Sequence, residues 1–278
     1  MTLIVLTSSR GAPGVTTTAL ALALLWPRPT VLFEADVSGS SSVAAGYLRG
    51  TLGPQRGLIN LAVAHRAGTL GPDSIREQAV ALTDDESRWL LPALANADQV
   101  GSMTAELWDR IGATLTAVSR AGTDVIVDAG RADAANGPQP LLRYADLVLL
   151  VVRTSLDAVV SARARVGQLR GAVADAVPGV DALGLLLVGE GRPHRAGDVA
   201  KAVGLPVIAT VTYDEANAQV LSHGAPRSRR FDTSPLVRSI RSAADEIQRA
   251  ATTRQAHLAP PLLVERDDEE HAGVRRSE

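Results

Sequence analysis

At 278 residues, 46% of them hydrophobic, the chain is long enough for one large α/β domain and has the apolar side chains to give it a core. Only 3% are aromatic, so that core has to be built from Ala, Val and Leu. A net charge of −2 makes no electrostatic case for or against a nucleic-acid partner, and the absence of cysteine excludes disulfides and thiolate metal sites and suits a reducing, cytoplasmic setting.

The first forty residues organise the rest. Leu3-Ile4-Val5-Leu6 is a short apolar run that leads into Thr7-Ser8-Ser9-Arg10-Gly11-Ala12-Pro13-Gly14-Val15-Thr16-Thr17-Thr18. A helical stretch from Thr16 to Leu25 follows, apolar almost all round and therefore expected to be buried on both sides. Trp26-Pro27 ends it, because proline breaks the helical ladder. A second apolar run, Thr30 to Phe33, closes on Glu34-Ala35-Asp36. Strand, Gly-rich turn, helix and strand is the order of a βαβ unit, whose turn aims backbone N–H groups and a helix N-terminus at one point suited to a phosphate. Laid on the phosphate-loop pattern G-x-x-x-x-G-K-[ST], Gly14 and Thr16 match the second Gly and the hydroxyl, while Ser9 and Val15 replace the first Gly and the Lys.

Beyond this unit, residues 37–57 are small, polar and Gly-rich, and read as a long loop with one short helix. Leu58 to Ala67 is weakly helical, and Trp89-Leu90-Leu91 before Pro92 reads as a short strand. Leu107, Ile111, Leu115 and Val118 give Ala105 to Ala121 the spacing of an amphipathic helix. Val125–Val127, Leu147–Val152 and Leu183–Val188 are unbroken apolar runs, the pattern of strands buried on both faces. Helices are expected over Ser155–Val177, Ala196–Val203 and Glu215–Ser222, with a last strand over Pro206–Val211. Thr233-Ser234-Pro235 starts a final helix with a capping hydroxyl and a first-turn proline. From Gln255 the periodicity stops, so residues 1–254 read as one domain and 255–278 as a disordered acidic tail. Strands alternating with helices predict an α/β fold, doubly wound, with a mainly parallel sheet and helices on both faces.

The ordered set of motifs resembles the MinD/ParA family of partitioning and positioning ATPases, whose deviant Walker A loop is written x-K-G-G-x-G-K-[ST]. In that alignment Arg10 stands at the family's signature lysine, Gly11 matches, Ala12 replaces a Gly, and Val15 replaces the loop lysine. Val31 to Asp36 resembles the strand that ends in D-x-D, with Glu34 at the first acid. Asp124 to Gly130 resembles the Walker B strand and switch II, and Ala145 to Arg153 the strand after it. The resemblance covers roughly residues 1 to 250 with no single motif intact, and the degenerate loop resembles the pilus-localisation (TadZ/CpaE-like) branch more than plasmid partition proteins.

The resemblance implies ATP and Mg²⁺ as cofactors. Gly11, Ala12, Pro13, Gly14, Val15, Thr16 and Thr17 would wrap the phosphates, Gly130 would let switch II approach them, and Thr212 and Asp214 would lie beside the base. Asp128, Thr16 and Asp36 would serve the metal, and Asp36 with Arg10 the reaction. Thr16 has a competing role as helix cap, Asp128 as a cap of loop hydrogen bonds, and Arg10 as a solvated loop residue. Lys201 is the only lysine, so no neighbour can stand in for the one missing at Val15. A homodimer across the nucleotide and a partner of partition, pilus or secretion type are implied. The Arg227–Arg241 cluster admits DNA contact or a solvated face. A tail with Pro260-Pro261 and an acid run is not a membrane anchor. The expected function is an ATP-dependent positioning switch with weak or absent hydrolysis. The alternative is a pseudo-ATPase scaffold.

Overall fold

The computed structural model describes residues 1–10, 13–38, 40–53, 56–174 and 182–258. The elements run β1 (Leu3–Ser8), α1 (Val15–Leu25), β2 (Thr30–Glu34), α2 (Ser42–Ala45), α3 (Leu58–Arg66), α4 (Pro72–Gln78), β3 (Val80–Ala81), β4 (Arg88–Leu91) and α5 (Ala105–Arg120). They continue with β5 (Asp124–Arg131), β6 (Leu147–Arg153), α6 (Leu156–Ala174), β7 (Leu183–Val188), α7 (Ala196–Val203), β8 (Val207–Val211), α8 (Glu215–Ser222) and α9 (Pro235–Leu258).

The strands form one sheet in the order β3-β4-β2-β5-β1-β6-β7-β8, parallel throughout except where β3 pairs with β4. The chain winds one way from β1 to β4, returns to slot β5 between β2 and β1, then winds the other way through β6, β7 and β8. β1 therefore stands where the winding reverses, which in open α/β sheets is where a crevice opens at the carboxyl ends of the strands.

The continuous apolar strands follow from burial on both faces. Leu3 and Val5 belong to one core with Val125, Val127 and Leu150, under α3, α5, α6 and α7; Ile4 and Leu6 belong to the other with Ile126, Leu149 and Leu186, under α1, α8 and α9. Successive strand residues point to opposite faces, so both sets must be apolar. α1 is buried along Ala19–Ala23 because it lies between the sheet and α8 and α9, as its all-round apolar character requires. Leu236, Val237, Ile240, Ala244 and Ile247 of α9 complete that layer, and Ser234 caps the helix by accepting from the Val237 amide at 3.2 Å.

Three expectations change. The two-residue β3 and the helix α4, polar except for its one buried residue Ile75, gave no periodic signal and were not expected. The final helix continues through Gln255 to Leu258, four residues into the stretch expected to be disordered; the remaining tail lies outside the described residues. α6 is described to Ala174, and the last part of the helix expected to reach Val177 lies outside them. Among the described residues no helix is long and apolar enough to cross a membrane.

Candidate functional site

A cavity of about 510 Å³ opens at the carboxyl ends of β1, β5, β6, β7 and β8, within the range of roughly 300–1,000 Å³ typical of ligand sites. Pro13, Gly14, Val15, Thr16 and Thr17 form one wall. Gly14 is the residue before α1 and has φ +105°, a left-handed value that glycine adopts without Cβ strain. This bend turns the chain into the helix, whose first turn, with N–H groups that have no intrahelical partner, borders the cavity.

Two buried acids behind the cavity come from neighbouring strands. Glu34 ends β2 and is in register with Asp128 on β5. Asp128 is 1% exposed and lies beneath the floor, next to Thr16, whose hydroxyl favours its charged form, and Gly130, whose amide donates to it at 3.0 Å. Burial pushes the Asp128 carboxyl up to about 6 against these hydrogen bonds, and nearby Asp36 adds to the rise. Asp36 lines the cavity and accepts from the Ser38 amide at 2.9 Å. Gly130 has φ +57°, and a Cβ there would stand 2.4 Å from the Asp36 Cγ, so only glycine lets the Asp36 carboxyl lie against this strand end.

Glu34 is a fully enclosed partner of this pair. Its carboxyl accepts from the Ser41 hydroxyl, from the Val43 amide at 3.2 Å and from the Ala93 amide at 3.4 Å, tying the start of α2 to the sheet. Burial pushes it up to about 7, partly offset by Ser41 and increased by Asp128.

The expected residues divide into groups. Pro13, Gly14, Val15, Thr16, Thr17, Asp36, Gly130 and Thr212 line the cavity. Thr16 is not the helix cap: Gly14 holds that position with no side-chain cap, and the Thr16 hydroxyl lies near Asp128. Val15 lines the cavity but is only 7% exposed and joins the core beneath α1, where a valine side chain gains from leaving water. Arg10 does not line the cavity; its guanidinium lies 3.5 Å from Asp157 at the start of α6. Asp214 is also absent from the cavity lining and caps α8, taking the Asn217 amide at 3.2 Å. Gly11 and Ala12 lie outside the described residues.

Sequence reasoning missed Arg131, Arg153, Tyr213 and Glu215, which also line the cavity. The guanidinium of Arg153 lies over the Tyr213 ring, 4.9 Å from its centroid. A usable signal existed for Arg153, the polar residue that terminates the unbroken apolar run of β6, a position that falls at the carboxyl edge of a parallel sheet.

A metal would find oxygen donors here, the Thr16 hydroxyl and the Asp36 carboxylate at the cavity with Asp128 behind them. Among the described residues no cluster of three His, Cys, Asp or Glu side chains that could hold a metal exists. That donor set fits a hard cation such as Mg²⁺, which keeps waters and takes phosphate oxygens alongside one or two carboxylates.

A glycine turn that feeds a buried helix, an acid under it and a strand-end crevice together define a phosphate-loop type of α/β architecture. No family model matches the sequence, and neither does any curated protein. Solved structures do match. The septum site-determining protein MinD of Pyrococcus horikoshii OT3, complexed with Mg-ADP, is 14% identical with a TM-score of 0.68, over 91% of this chain and 98% of that one. A ParA family ATPase from Chlorobium tepidum TLS is 15% identical with a TM-score of 0.66, over 87% and 97%. An ATP complex of a McdA variant from Cyanothece is 17% identical with a TM-score of 0.65, over 89% and 96%. The chain has the MinD/ParA fold.

Proposed function

We propose that the chain is a nucleotide switch of the MinD/ParA type, binding ATP with Mg²⁺ and positioning a cargo, a replicon or a pilus or secretion apparatus, through a protein partner. The observation that carries this reading is the buried Asp128, bonded by the Gly130 amide and next to Thr16, set under an open cavity at the strand ends that Thr16, Asp36 and Gly130 line. A chain that had kept only the fold would gain nothing from holding a costly buried acid there, beneath a cavity. Similar folds solved with Mg-ADP and with ATP lend support.

Thr16 and Asp36 would hold the metal at the phosphates, with Asp128 ordering Thr16 from behind and acting through water. Gly14 and the first turn of α1 would present amides to the phosphates, and Asp36 would orient a water for attack. With Val15 at the lysine position, one charge-assisted contact is missing, about 1.5–3 kcal/mol, and hydrolysis suffers more than binding because charge moves during phosphoryl transfer. Weak or absent turnover follows, together with a nucleotide-dependent homodimer.

A second reading, a pseudo-ATPase scaffold, is favoured by the packing of Val15 into the core. Light scattering with and without Mg-ATP, alongside a turnover assay, separates the two. The switch reading expects ATP-dependent self-association with slow turnover, and a Val15→Lys variant that turns over faster despite some loss of stability. No association and no gain from Val15→Lys would favour the scaffold.

A further inference from the structure

We propose that Arg153 supplies the phosphate-facing cation that the loop lacks at Val15, so that the charge has moved from the start of α1 to the end of β6. This rests on the nucleotide reading above and concerns the polyphosphate end of that ligand.

Arg153 is the last residue of β6, and β6 pairs directly with β1, so its backbone stands beside the point where the loop leaves the sheet. The side chain borders the main cavity and also a small adjoining hollow lined by Ser9 and Pro13. It therefore sits at the shoulder of the loop, between Pro13 and the turn after β8. Stacking on the Tyr213 ring holds a long, otherwise floppy side chain against the cavity wall without neutralising it.

The charge is also unspent. Among the described residues no carboxylate forms an ion pair with Arg153, whereas Arg10, the arginine the loop sequence offers, is engaged by Asp157. A guanidinium presents a fork of donors that matches two phosphate oxygens, and it cannot lose its proton at any working pH. The Val15 side chain offers neither charge nor donor, and the chain's one lysine, Lys201, lies on α7 and is not part of the cavity. Relocation to a strand end also leaves Val15 free to serve the core.

The test is calorimetric titration of the full chain with Mg-ATP over a range of salt concentrations, for the parent, R153Q, R153K and the double variant V15K/R153Q. R153Q should bind about ten- to a hundredfold more weakly, with a shallower salt dependence, because one charge-assisted contact is lost. R153K should regain part of the affinity, and the double variant should recover it by returning a cation to the loop. Because Arg153 is exposed at a strand end, R153Q and R153K should melt with the parent. If the parent binds no nucleotide, the functional reading fails and takes this one with it. If the parent binds and R153Q binds equally tightly, or V15K restores nothing, only the assignment of Arg153 is overturned.

Discussion

At the start of β5, Asp124 is completely buried and surrounded by donors: the Thr2 amide at 2.7 Å, the Trp26 indole N–H at 2.8 Å and the Arg28 guanidinium at 3.4 Å. Towards the far end of the same strand, Asp128 is equally deep, but among the described residues its carboxylate takes the Gly130 amide, with the Thr16 hydroxyl and the Asp36 carboxylate nearby. One aspartate is saturated and the other is under-compensated, with its carboxyl pushed up to about 6. The contrast separates two uses of a buried acid. At the amino edge of the sheet the carboxylate ties together β1, the end of α1 and β5, and its work is done in folding. At the carboxyl edge it retains unused acceptor capacity beside a cavity, which is what a ligand-dependent site requires.

The strongest way to break this contrast is Asp124→Ala. It strands the Trp26 N–H and the Thr2 amide inside the protein, and should cost about 3–5 kcal/mol in chemical denaturation while leaving nucleotide affinity unchanged in the folded fraction. An Asp124→Ala protein that kept its stability would show that the saturated network is ornamental.

The next effect is a pH dependence. Glu34 has its folded carboxyl raised from 4.5 to about 7, so its contribution is fully present below pH 4.5 and is lost as pH rises through about 7. Asp128, raised from 3.8 to about 6, acts in the same direction. Unfolding free energy should therefore fall by about 3 kcal/mol for Glu34 alone between pH 4.5 and 8, and Glu34→Gln, which keeps an acceptor without the charge, should flatten most of that slope. Asp85 is held low, at about 2, so it titrates well below this window.

Asp128→Asn sharpens the comparison, because stability and function should move in opposite directions. Removing a poorly compensated charge should stabilise the fold by about 3 kcal/mol at pH 8, while magnesium-dependent nucleotide affinity drops on the order of ten- to a hundredfold. Loss of stability in that variant would mean that Asp128 is structural, like Asp124. The smallest effect is expected of Arg10→Ala. Both partners of its ion pair with Asp157 are largely solvent-exposed, so the melting temperature should not move, and ATP affinity should stay at the parent value.

Much of this was legible in the sequence. The apolar runs of β5, β6 and β7 declared buried parallel strands, and the order of motifs placed Gly14, Thr16, Asp36 and Gly130 at one crevice. What could not be read were directions set by tertiary packing. Nothing in Arg10 itself says that it turns to Asp157, and Asp214 looks alike whether it caps α8 or faces a ligand. Arg153 and Tyr213 belong to different motifs far apart in the chain, and only the adjacency of β6, β7 and β8 stacks one on the other. β3 failed to register because a two-residue strand has no period to detect.

The most direct single test is an equilibrium titration of the parent chain with ATP, performed with and without Mg²⁺ and repeated on Asp128→Asn. Saturable binding that magnesium strengthens in the parent, and strengthens far less in Asp128→Asn, is the expected result. A parent chain that binds no ATP at millimolar concentrations, or binds it with no response to magnesium, would contradict the account.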